Sequence, residues 1–282
     1  MIAVTGASGQ LGQLIIENLL KNLSPGQIVA IVRNAEKASC LSQRGITVRE
    51  ADYNDESAYA SALQGVNKLL FISSSEVGQR ATQHRNVIHA AIAAKVEFIA
   101  YTSLLHADKS PLALAHEHVE TEKMLADSGI PYALLRNGWY TENYLASLPA
   151  ALKHGVFIGA AGEGKIASAA RADYAAAAAR VISEGDHAGK IYELAGDDAW
   201  TLKQLTNELT RQSGKNVIYK NLSETDFAAA LKGAGLPAGL ADMLANSDSG
   251  ASKGGLYDDS HTLSKIIGRP TTSLTESIRT RL

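Results

Sequence analysis

The first twenty residues constrain the fold of this chain more than any other segment. An apolar run at residues 2–4 stops at Gly6, and leucine and isoleucine then recur at helical spacing over residues 14–20. Gly9 and Gly12 follow Gly6 at three-residue steps. This pattern predicts a buried strand, a tight turn and a helix, with the glycines on the turn and on the first helical turn.

Each glycine of this turn has a physical role. Gly6 can reverse the chain at positive φ, Gly9 lets the backbone approach a pyrophosphate, and Gly12 lets the helix pack closely on the strand. Free N–H groups at a helix start favour an anion. The spacing is G-x-x-G-x-x-G and not the G-x-G-x-x-G of the dinucleotide fingerprint, so a glycine-rich turn without a ligand is the alternative. Because a strand precedes the turn and a helix follows it, we favour a phosphate site.

The composition argues against several classes of protein. The 282 residues carry a formal net charge of −2. The chain therefore lacks the excess of basic residues that is typical of nucleic-acid-binding proteins. Cys40 is the single cysteine and cannot form an internal disulfide. No apolar stretch reaches the roughly 18 residues of a membrane helix, and Met1 begins directly on the first predicted strand. We therefore expect a soluble, cytoplasmic protein with no nucleic-acid partner and no membrane partner.

Strands and helices alternate along the first half of the chain. Helical segments separate the apolar runs at residues 27–33, 46–49, 68–72, 98–101 and 132–136. This rhythm predicts an α/β fold with a Rossmann-type, doubly wound parallel sheet. Right-handed crossovers place the loops after the strands at one edge of the sheet. We expect one crevice to collect these loops, which begin at Gly6, Arg33, Asp52, Ser73, Ser103 and Asn137.

The second half has a looser pattern. Residues 156–158, 164–168 and 191–194 resemble short strands, and the last third is helical, with Thr201 and Ser223 as N-cap candidates. Residues 246–255 are rich in Gly, Ser and Asp, which is typical of a mobile surface loop. The predicted division is a Rossmann domain over residues 1–150, with sheet elements returning around 156–196, and a smaller, mainly helical C-terminal lobe over 197–282.

Three strand-end positions suggest how a dinucleotide would be recognised. Arg33 stands where an acidic residue would favour NAD, and its guanidinium can pair with the 2′-phosphate of NADP; the alternative is a solvated arginine. Asp52 suits an adenine amino group or is an ordinary loop-start aspartate. Ser73, Ser74 and Ser75 leave room for a nicotinamide ribose or act as turn formers.

The sequence offers no acid–base machinery of a known type. No tyrosine has a lysine four residues later, as the short-chain dehydrogenases require. Five histidines, His84, His89, His106, His116 and His118, raise the question of a metal site. His116 and His118 alternate, so on a helix they point to different faces, which argues against such a site and favours solvated or capping histidines. A cofactor fold without a proton relay suits quinones and similar conjugated acceptors, which need a hydride and can take their proton from water.

Longer phrases point to a family. The segments ISSSEVGQR (72–80), YTSLLHAD (101–108), ETEKMLADSGI (120–130), LLRNGWYTENYLAS (134–147) and GASKGGL (250–256) resemble the NmrA-like, atypical short-chain dehydrogenase/reductase family. Within that family the likeness is to its quinone reductases and, more distantly, to its triphenylmethane reductases. It extends over nearly the whole chain.

The resemblance implies that the first domain binds NADPH and that the second domain contributes to the substrate site. It places the pyrophosphate on Gly6, Ala7, Ser8, Gly9, Gln10 and Leu11, with Gly12 behind them, and the 2′-phosphate on Arg33. Asp52 remains the adenine candidate. The nicotinamide side would be formed by Ser73, Ser74, Ser75, Asn137, Gly138, Trp139, Tyr140, Thr141 and Glu142, with Arg171 closing the site.

The resemblance also assigns the substrate. Gly78 and Asn143 correspond to quinone-pocket residues, so we expect direct hydride transfer to a quinone whose carbonyl accepts a hydrogen bond from Asn143. Tyr140 and Trp139 form an aromatic wall or serve as packing residues. His118 stands where plant reductases of the wider group have a catalytic lysine, and it stays a candidate for substrate contact.

Two other functions remain open from the sequence. One is a redox-sensing regulator of the NmrA type, which binds NADP without turnover. The other is a reductase of dyes or other conjugated xenobiotics. The expected partner is a small-molecule quinone, the expected oligomeric state is a monomer or homodimer, and no metal is expected.

Overall fold

The computed structural model describes all 282 residues, Met1–Leu282. Nine strands form: β1 Ile2–Val4, β2 Ile28–Val32, β3 Thr47–Glu50, β4 Lys68–Phe71, β5 Phe98–Leu104, β6 Tyr132–Asn137, β7 Val156–Gly159, β8 Ile191–Leu194 and β9 Ile218–Asn221. Seven of them form one sheet in the order β3-β2-β1-β4-β5-β6-β8, and β7 and β9 form a separate parallel pair.

Thirteen α-helices connect and follow the strands. They are α1 Gln10–Leu19, α2 Ser39–Gln43, α3 Glu56–Ala62, α4 Arg80–Ala93, α5 Ala115–Asp127, α6 Thr141–Leu145, α7 Leu148–His154, α8 Arg171–Ser183, α9 Leu202–Ser213, α10 Glu224–Gly233, α11 Ala238–Ser252, α12 Thr262–Ile267 and α13 Leu274–Arg279. No helix combines the length and the apolar character that a membrane crossing requires.

The central strands explain the choice of a parallel sheet. β1 pairs in parallel with β2 and β4, and all residues of β1 and β2 are buried. These strands consist only of Ile, Val and Ala, so both of their faces can be buried without burying a polar side chain, as is typical of parallel sheets. The predicted Rossmann-type α/β fold with a helical C-terminal part is confirmed.

The chain forms two compact units. The first comprises Met1–Leu104, His116–Arg136 and Arg171–Tyr192, and the second comprises Leu105–Ala115, Asn137–Ala170 and Glu193–Leu282. In the first unit α1 packs against α8, whose buried alanines allow a close approach. The predicted domain limits at residues 150 and 197 stay a prediction.

The helix caps of the last third follow the sequence. The Thr201 hydroxyl accepts the Gln204 N–H at 3.2 Å, and the Ser223 hydroxyl accepts the Asp226 N–H at 3.1 Å. Each bond satisfies one of the backbone donors that a helix start leaves open. Both predicted N-caps are confirmed.

Two predictions about the second half are wrong. Residues 246–255 do not form a surface loop, because α11 runs to Ser252 and buries Asp248 and Gly250. A Cβ on Gly250 would lie 2.6 Å from Leu112 Cδ1, so small residues here serve close packing. Residues 164–168 form no strand, and only an isolated bridge joins Ile166 to Trp200.

Candidate functional site

The glycine turn after β1 has the geometry that its spacing predicts. Gly6 has φ +57°, and its carbonyl accepts the Gly9 N–H at 2.9 Å. A Cβ on Gly12 would lie 2.4 Å from the Gly6 oxygen and 2.8 Å from Ala7 Cα, so no other residue fits there. Gly9 is the N-cap residue of α1, and because it has no side chain, no side-chain hydrogen bond satisfies the first N–H groups of the helix. These groups are donors suited to an anion.

Tyr53 makes hydrogen bonds next to this turn. Its hydroxyl donates to the Ile72 carbonyl at 2.7 Å and lies 2.9 Å from Thr5 Oγ1. The Thr5 hydroxyl in turn accepts the Ile72 N–H at 2.9 Å. Burial raises the pKa of Tyr53 to about 12, so the hydroxyl is neutral. Tyr53 therefore ties the end of β1 to the end of β4.

Charged side chains stand at two of the strand ends. Arg33, directly after β2, pairs with Glu76 through Nη1 and Oε1 at 3.0 Å, and both side chains are largely exposed. Asp52, after β3, accepts the backbone N–H and the side-chain amide of Asn54, each at 2.8 Å. Asp52 thus has a structural role in its turn, and its role toward adenine stays a prediction.

The serine segment after β4 is held by side chains of its neighbours. The Ser73 N–H donates to Thr102 Oγ1 at 2.9 Å, and Ser75 is exposed. The buried Ser74 donates its hydroxyl to Gln83 Oε1 at 2.5 Å, and its carbonyl accepts Arg80 Nε at 2.6 Å. The Ser74 hydroxyl is therefore occupied within the protein, whereas Ser75 is open to a ligand.

His84 fixes the backbone of the same segment. Its Nε2 accepts the Ser74 N–H at 2.9 Å, so the ring proton is on Nδ1, which donates to Thr121 Oγ1 at 2.8 Å. Burial and the nearby Arg80 lower the pKa of His84 to about 3. His84 is a neutral, buried residue, and the expectation of a solvated or capping histidine is wrong for it.

His118 is also buried. Its Nδ1 lies 2.8 Å from the Tyr101 hydroxyl, and its Nε2 lies 3.4 Å from Arg80 Nη1. Burial, with the Arg80 charge as a second cause, holds the pKa of His118 well below its usual range. His116 is exposed and His118 is buried, so the two imidazoles point to different faces, as the alternate spacing predicts. His118 is neither solvated nor a cap. Its contact with a substrate stays a prediction.

Gly78 requires a backbone conformation that glycine adopts easily. Its φ is +86°, its N–H donates to Glu117 Oε1 at 2.9 Å, and a Cβ there would meet no atom within 4 Å. Glu117 also accepts the Arg80 N–H at 3.3 Å. The space beside Gly78 is therefore open while its backbone is fixed.

In the second unit, the segment after β6 begins with a buried amide. Asn137 Oδ1 is buried and has no hydrogen-bond partner, which is costly unless another molecule satisfies it. The Gly138 N–H donates to the Leu194 carbonyl at 2.7 Å, and the Thr141 N–H donates to the Ala169 carbonyl at 3.0 Å. These bonds fix the backbone on both sides of Trp139 and Tyr140.

A small cavity adjoins this segment. Its volume is about 40 Å³, which holds water but is far below an ordinary ligand pocket. The lining residues are Trp139, Asn143, Tyr144, Ser147, Phe157, Ile158, Phe227, Leu231, Leu244 and Asp248. Asp248 accepts the Ala160 N–H at 2.9 Å and the Tyr144 hydroxyl at 3.2 Å, and burial raises its pKa to about 6.

A larger cavity of about 640 Å³ also belongs to the second unit, and none of the predicted site residues lines it. Lys203, Asn207, Asn216 and Tyr219 are among its lining residues. Its size alone does not make it the site, since the predicted residues lie elsewhere. No group of three or more His, Cys, Asp or Glu is arranged to hold a metal ion.

The family follows from a comparison with known families. The model of the NmrA-like family matches residues 1–280. The chain belongs to the NmrA-like family. This confirms the resemblance carried by the longer phrases of the sequence.

Several known proteins match this chain over nearly their full length. Quinone oxidoreductase 2 of Escherichia coli K12 is 76% identical over 99% of this chain and 97% of its own. The crystal structure of the E. coli NADPH-dependent quinone oxidoreductase QOR2 complexed with NADPH superposes with a TM-score of 0.98, at 75% identity and 99% coverage of both chains. Citrobacter sp. triphenylmethane reductase complexed with NADP(H) has a TM-score of 0.96 and 40% identity, covering 100% of both chains.

The predicted site residues divide between the two units of this NmrA-like chain. The first unit holds Gly6 to Gly12, Arg33, Asp52, Ser73, Ser74, Ser75, Gly78, His118 and Arg171, which begins α8. Within it, β1 lies between β2 and β4, so the structure brings together the glycine turn, Arg33 and the serine segment. The second unit holds Asn137 to Glu142 and Asn143.

The supporting residues were not predicted. Tyr53, Gln83, Arg80, Glu117 and Asp248 contact the predicted residues or line the same cavity, but none of them entered the predicted site. Tyr53 had a local signal, since it directly follows Asp52 at a strand end. Glu117 had none, because it is 39 residues from Gly78 along the chain.

Proposed function

We propose that this chain reduces quinones with NADPH as hydride donor. The observation that carries the proposal is the 76% identity, over nearly the full length of both proteins, to E. coli quinone oxidoreductase 2. The identity to the Citrobacter triphenylmethane reductase structure is 40%, so quinones are favoured over dyes as the acceptor.

The residues of the first unit fit a dinucleotide. The uncapped start of α1 offers N–H donors to a pyrophosphate, and the glycines leave no side chain in its way. Arg33 provides an exposed guanidinium with the fork of donors that suits a phosphate. We propose Asp52 beside the adenine and Ser73, Ser74 and Ser75 beside the nicotinamide ribose, with Ser75 offering the open hydroxyl. Arg171 is proposed to close the site.

The second unit contributes an amide and aromatic residues to the proposal. The buried Asn137 Oδ1, which has no partner in the protein, is suited to accept a hydrogen bond from the carboxamide of a nicotinamide. The backbone from Gly138 to Glu142 is held by the bonds to Leu194 and Ala169, so Trp139 and Tyr140 keep a fixed position. Preorganisation of this kind lowers the cost of binding.

When bound, NADPH supplies a hydride from its nicotinamide ring. Asn143 is proposed to donate a hydrogen bond to the quinone oxygen on which negative charge develops. Gly78 is proposed to leave room for the flat ring, since no side chain fills the space beside it. His118 has protein groups at both ring nitrogens and a lowered pKa, so we propose that it supports the structure and that water supplies the proton.

Turnover of NADPH with a quinone tests the proposal. The purified chain is mixed with NADPH and 1,4-benzoquinone, and the absorbance of the reduced cofactor is followed. We expect oxidation that depends on both protein and quinone. Tight binding of NADP without turnover, either with quinones or with triphenylmethane dyes, would contradict the proposal and favour the sensor alternative.

A further inference from the structure

The ion pair between Arg33 and Glu76 lies across the end of β1. Arg33 follows β2 and Glu76 lies in the segment after β4, and β1 separates these two strands in the sheet. Neighbouring strands are about 4.8 Å apart, so the two residues start from positions about twice that distance from each other. Their side chains nevertheless meet, with Arg33 Nη1 3.0 Å from Glu76 Oε1.

Glu76 is not a loose surface side chain. Its Oε2 accepts Gln83 Nε2 at 2.8 Å, and Gln83 is buried and accepts the Ser74 hydroxyl with its own oxygen. The Glu76 N–H also donates to Ser74 Oγ at 3.1 Å. The buried Gln83 side chain of α4 therefore holds the Glu76 carboxylate in position toward Arg33, although the ion pair itself is exposed.

Such a carboxylate affects a second anion. A phosphate that approaches Arg33 competes with Glu76 for the Nη1 donor, and it also meets the negative charge of Glu76. NADH has a 2′-hydroxyl in place of the phosphate and lacks the charge that would compete.

We propose that Glu76 is a specificity-determining residue, which competes with the 2′-phosphate of NADPH for Arg33 and thereby limits the preference of the enzyme for NADPH over NADH. This inference rests on the proposed function, because it takes NADPH as the cofactor. The sequence did not suggest it, since residues 33 and 76 are brought together only by the sheet order.

The test is the substitution Glu76→Gln, which keeps an acceptor for Gln83 and removes the charge. Calorimetric titration of the full chain should show NADPH binding about threefold to fivefold tighter, in the range of one exposed ion pair, and NADH binding changed less than twofold. The NADPH effect should shrink in high salt, because exposed charges are screened. The KM for NADPH should fall by the same factor.

Glu56→Gln is the matched control. Glu56 is an exposed carboxylate of the same unit, at the start of α3, and its partner is His89. Glu56→Gln also removes one negative charge, but at a position away from the strand ends. We expect the affinities for NADPH and for NADH to stay within twofold of the wild type.

The outcomes separate this inference from the proposed function. Equal changes for NADPH and NADH in Glu76→Gln, no change for either, or weaker NADPH binding would overturn the competition. Absence of NADPH and NADH binding in the wild-type chain would instead remove the proposed function itself.

Discussion

The strand ends of the first unit and the cavity of the second unit are built in different ways. At the strand ends, the glycine turn depends on backbone geometry within residues 6–12. In the cavity, Asp248 is held by Tyr144 and Ala160, which are 104 and 88 residues away. Local spacing along the chain therefore determines the first region, whereas the second depends on contacts that only the folded chain creates.

The largest expected effect is on the glycine turn. Gly12→Val places a Cβ 2.4 Å from the Gly6 oxygen. This clash is with a backbone atom, so it cannot be relieved by rotating a side chain. We expect a loss of at least about 3 kcal/mol in the free energy of unfolding, the upper end of overpacking costs, together with loss of NADPH binding. Urea unfolding and calorimetry measure the two effects.

Gly26→Ala is the control for this substitution. A Cβ on Gly26 meets no atom within 4 Å, so its stability should match the wild type. If Gly12→Val were as stable as Gly26→Ala, the turn would not be the constraint that its geometry indicates.

The second prediction concerns Asp248 and pH. Its pKa is raised from 3.8 to about 6 by burial, so the folded state binds its proton more tightly than the unfolded state. The stabilisation from this proton is full below pH 4 and is lost as the pH rises through 6. A rise in pKa of this size corresponds to about 3 kcal/mol in the free energy of unfolding.

Asp248→Asn removes this titration and keeps an acceptor for the Ala160 N–H. Relative to the wild type, the variant should gain stability as the pH rises from 4 to 8, by up to about 3 kcal/mol. Urea unfolding at three pH values measures the difference. A difference that does not vary with pH would show that folding does not raise the pKa of Asp248.

The third prediction tests the cofactor preference at the strand ends. Arg33→Ala should weaken NADPH binding by roughly tenfold or more and NADH binding by much less, because charge-assisted hydrogen bonds are worth about 1.5–3 kcal/mol. Arg44→Ala, which removes another exposed arginine paired with a glutamate, is the control. Equal losses for both cofactors would remove the assignment of Arg33 to the 2′-phosphate.

The smallest expected effect is at Tyr53. Tyr53→Phe removes the hydroxyl that donates to the Ile72 carbonyl, which should cost about 1 kcal/mol of stability. Tyr257→Phe, whose hydroxyl makes only a 3.4 Å contact with Asp259, should cost less. Thermal unfolding compares the two, and equal stabilities would mean that Tyr53 does not join β1 to β4.

The sequence predicted the parts of the fold that depend on local pattern. The strands from β1 to β6, the glycine turn and the caps at Thr201 and Ser223 follow from apolar periodicity and from residues with one dominant conformational role. Each of these features is decided by neighbours within a few positions along the chain.

The remaining parts depend on contacts between distant residues. The helix over residues 246–252 looked like a loop because its Ser, Asp and Gly residues are poor helix formers. In the folded chain Gly250 packs closely against Leu112, and Asp248 accepts hydrogen bonds from Ala160 and Tyr144. His84 and His118 looked solvated because nothing local indicates that Thr121, Tyr101 and Arg80 would enclose them. Tertiary contacts override propensity at these positions.

Calorimetric titration of the folded chain with NADPH, and separately with NADH, measures whether the glycine turn binds a nicotinamide dinucleotide. We expect that one NADPH binds per chain, more tightly than NADH, and that the binding is lost in Gly12→Val. If neither cofactor binds to folded protein, the glycine turn is not an anion site for a nicotinamide dinucleotide, and the proposed activity is wrong.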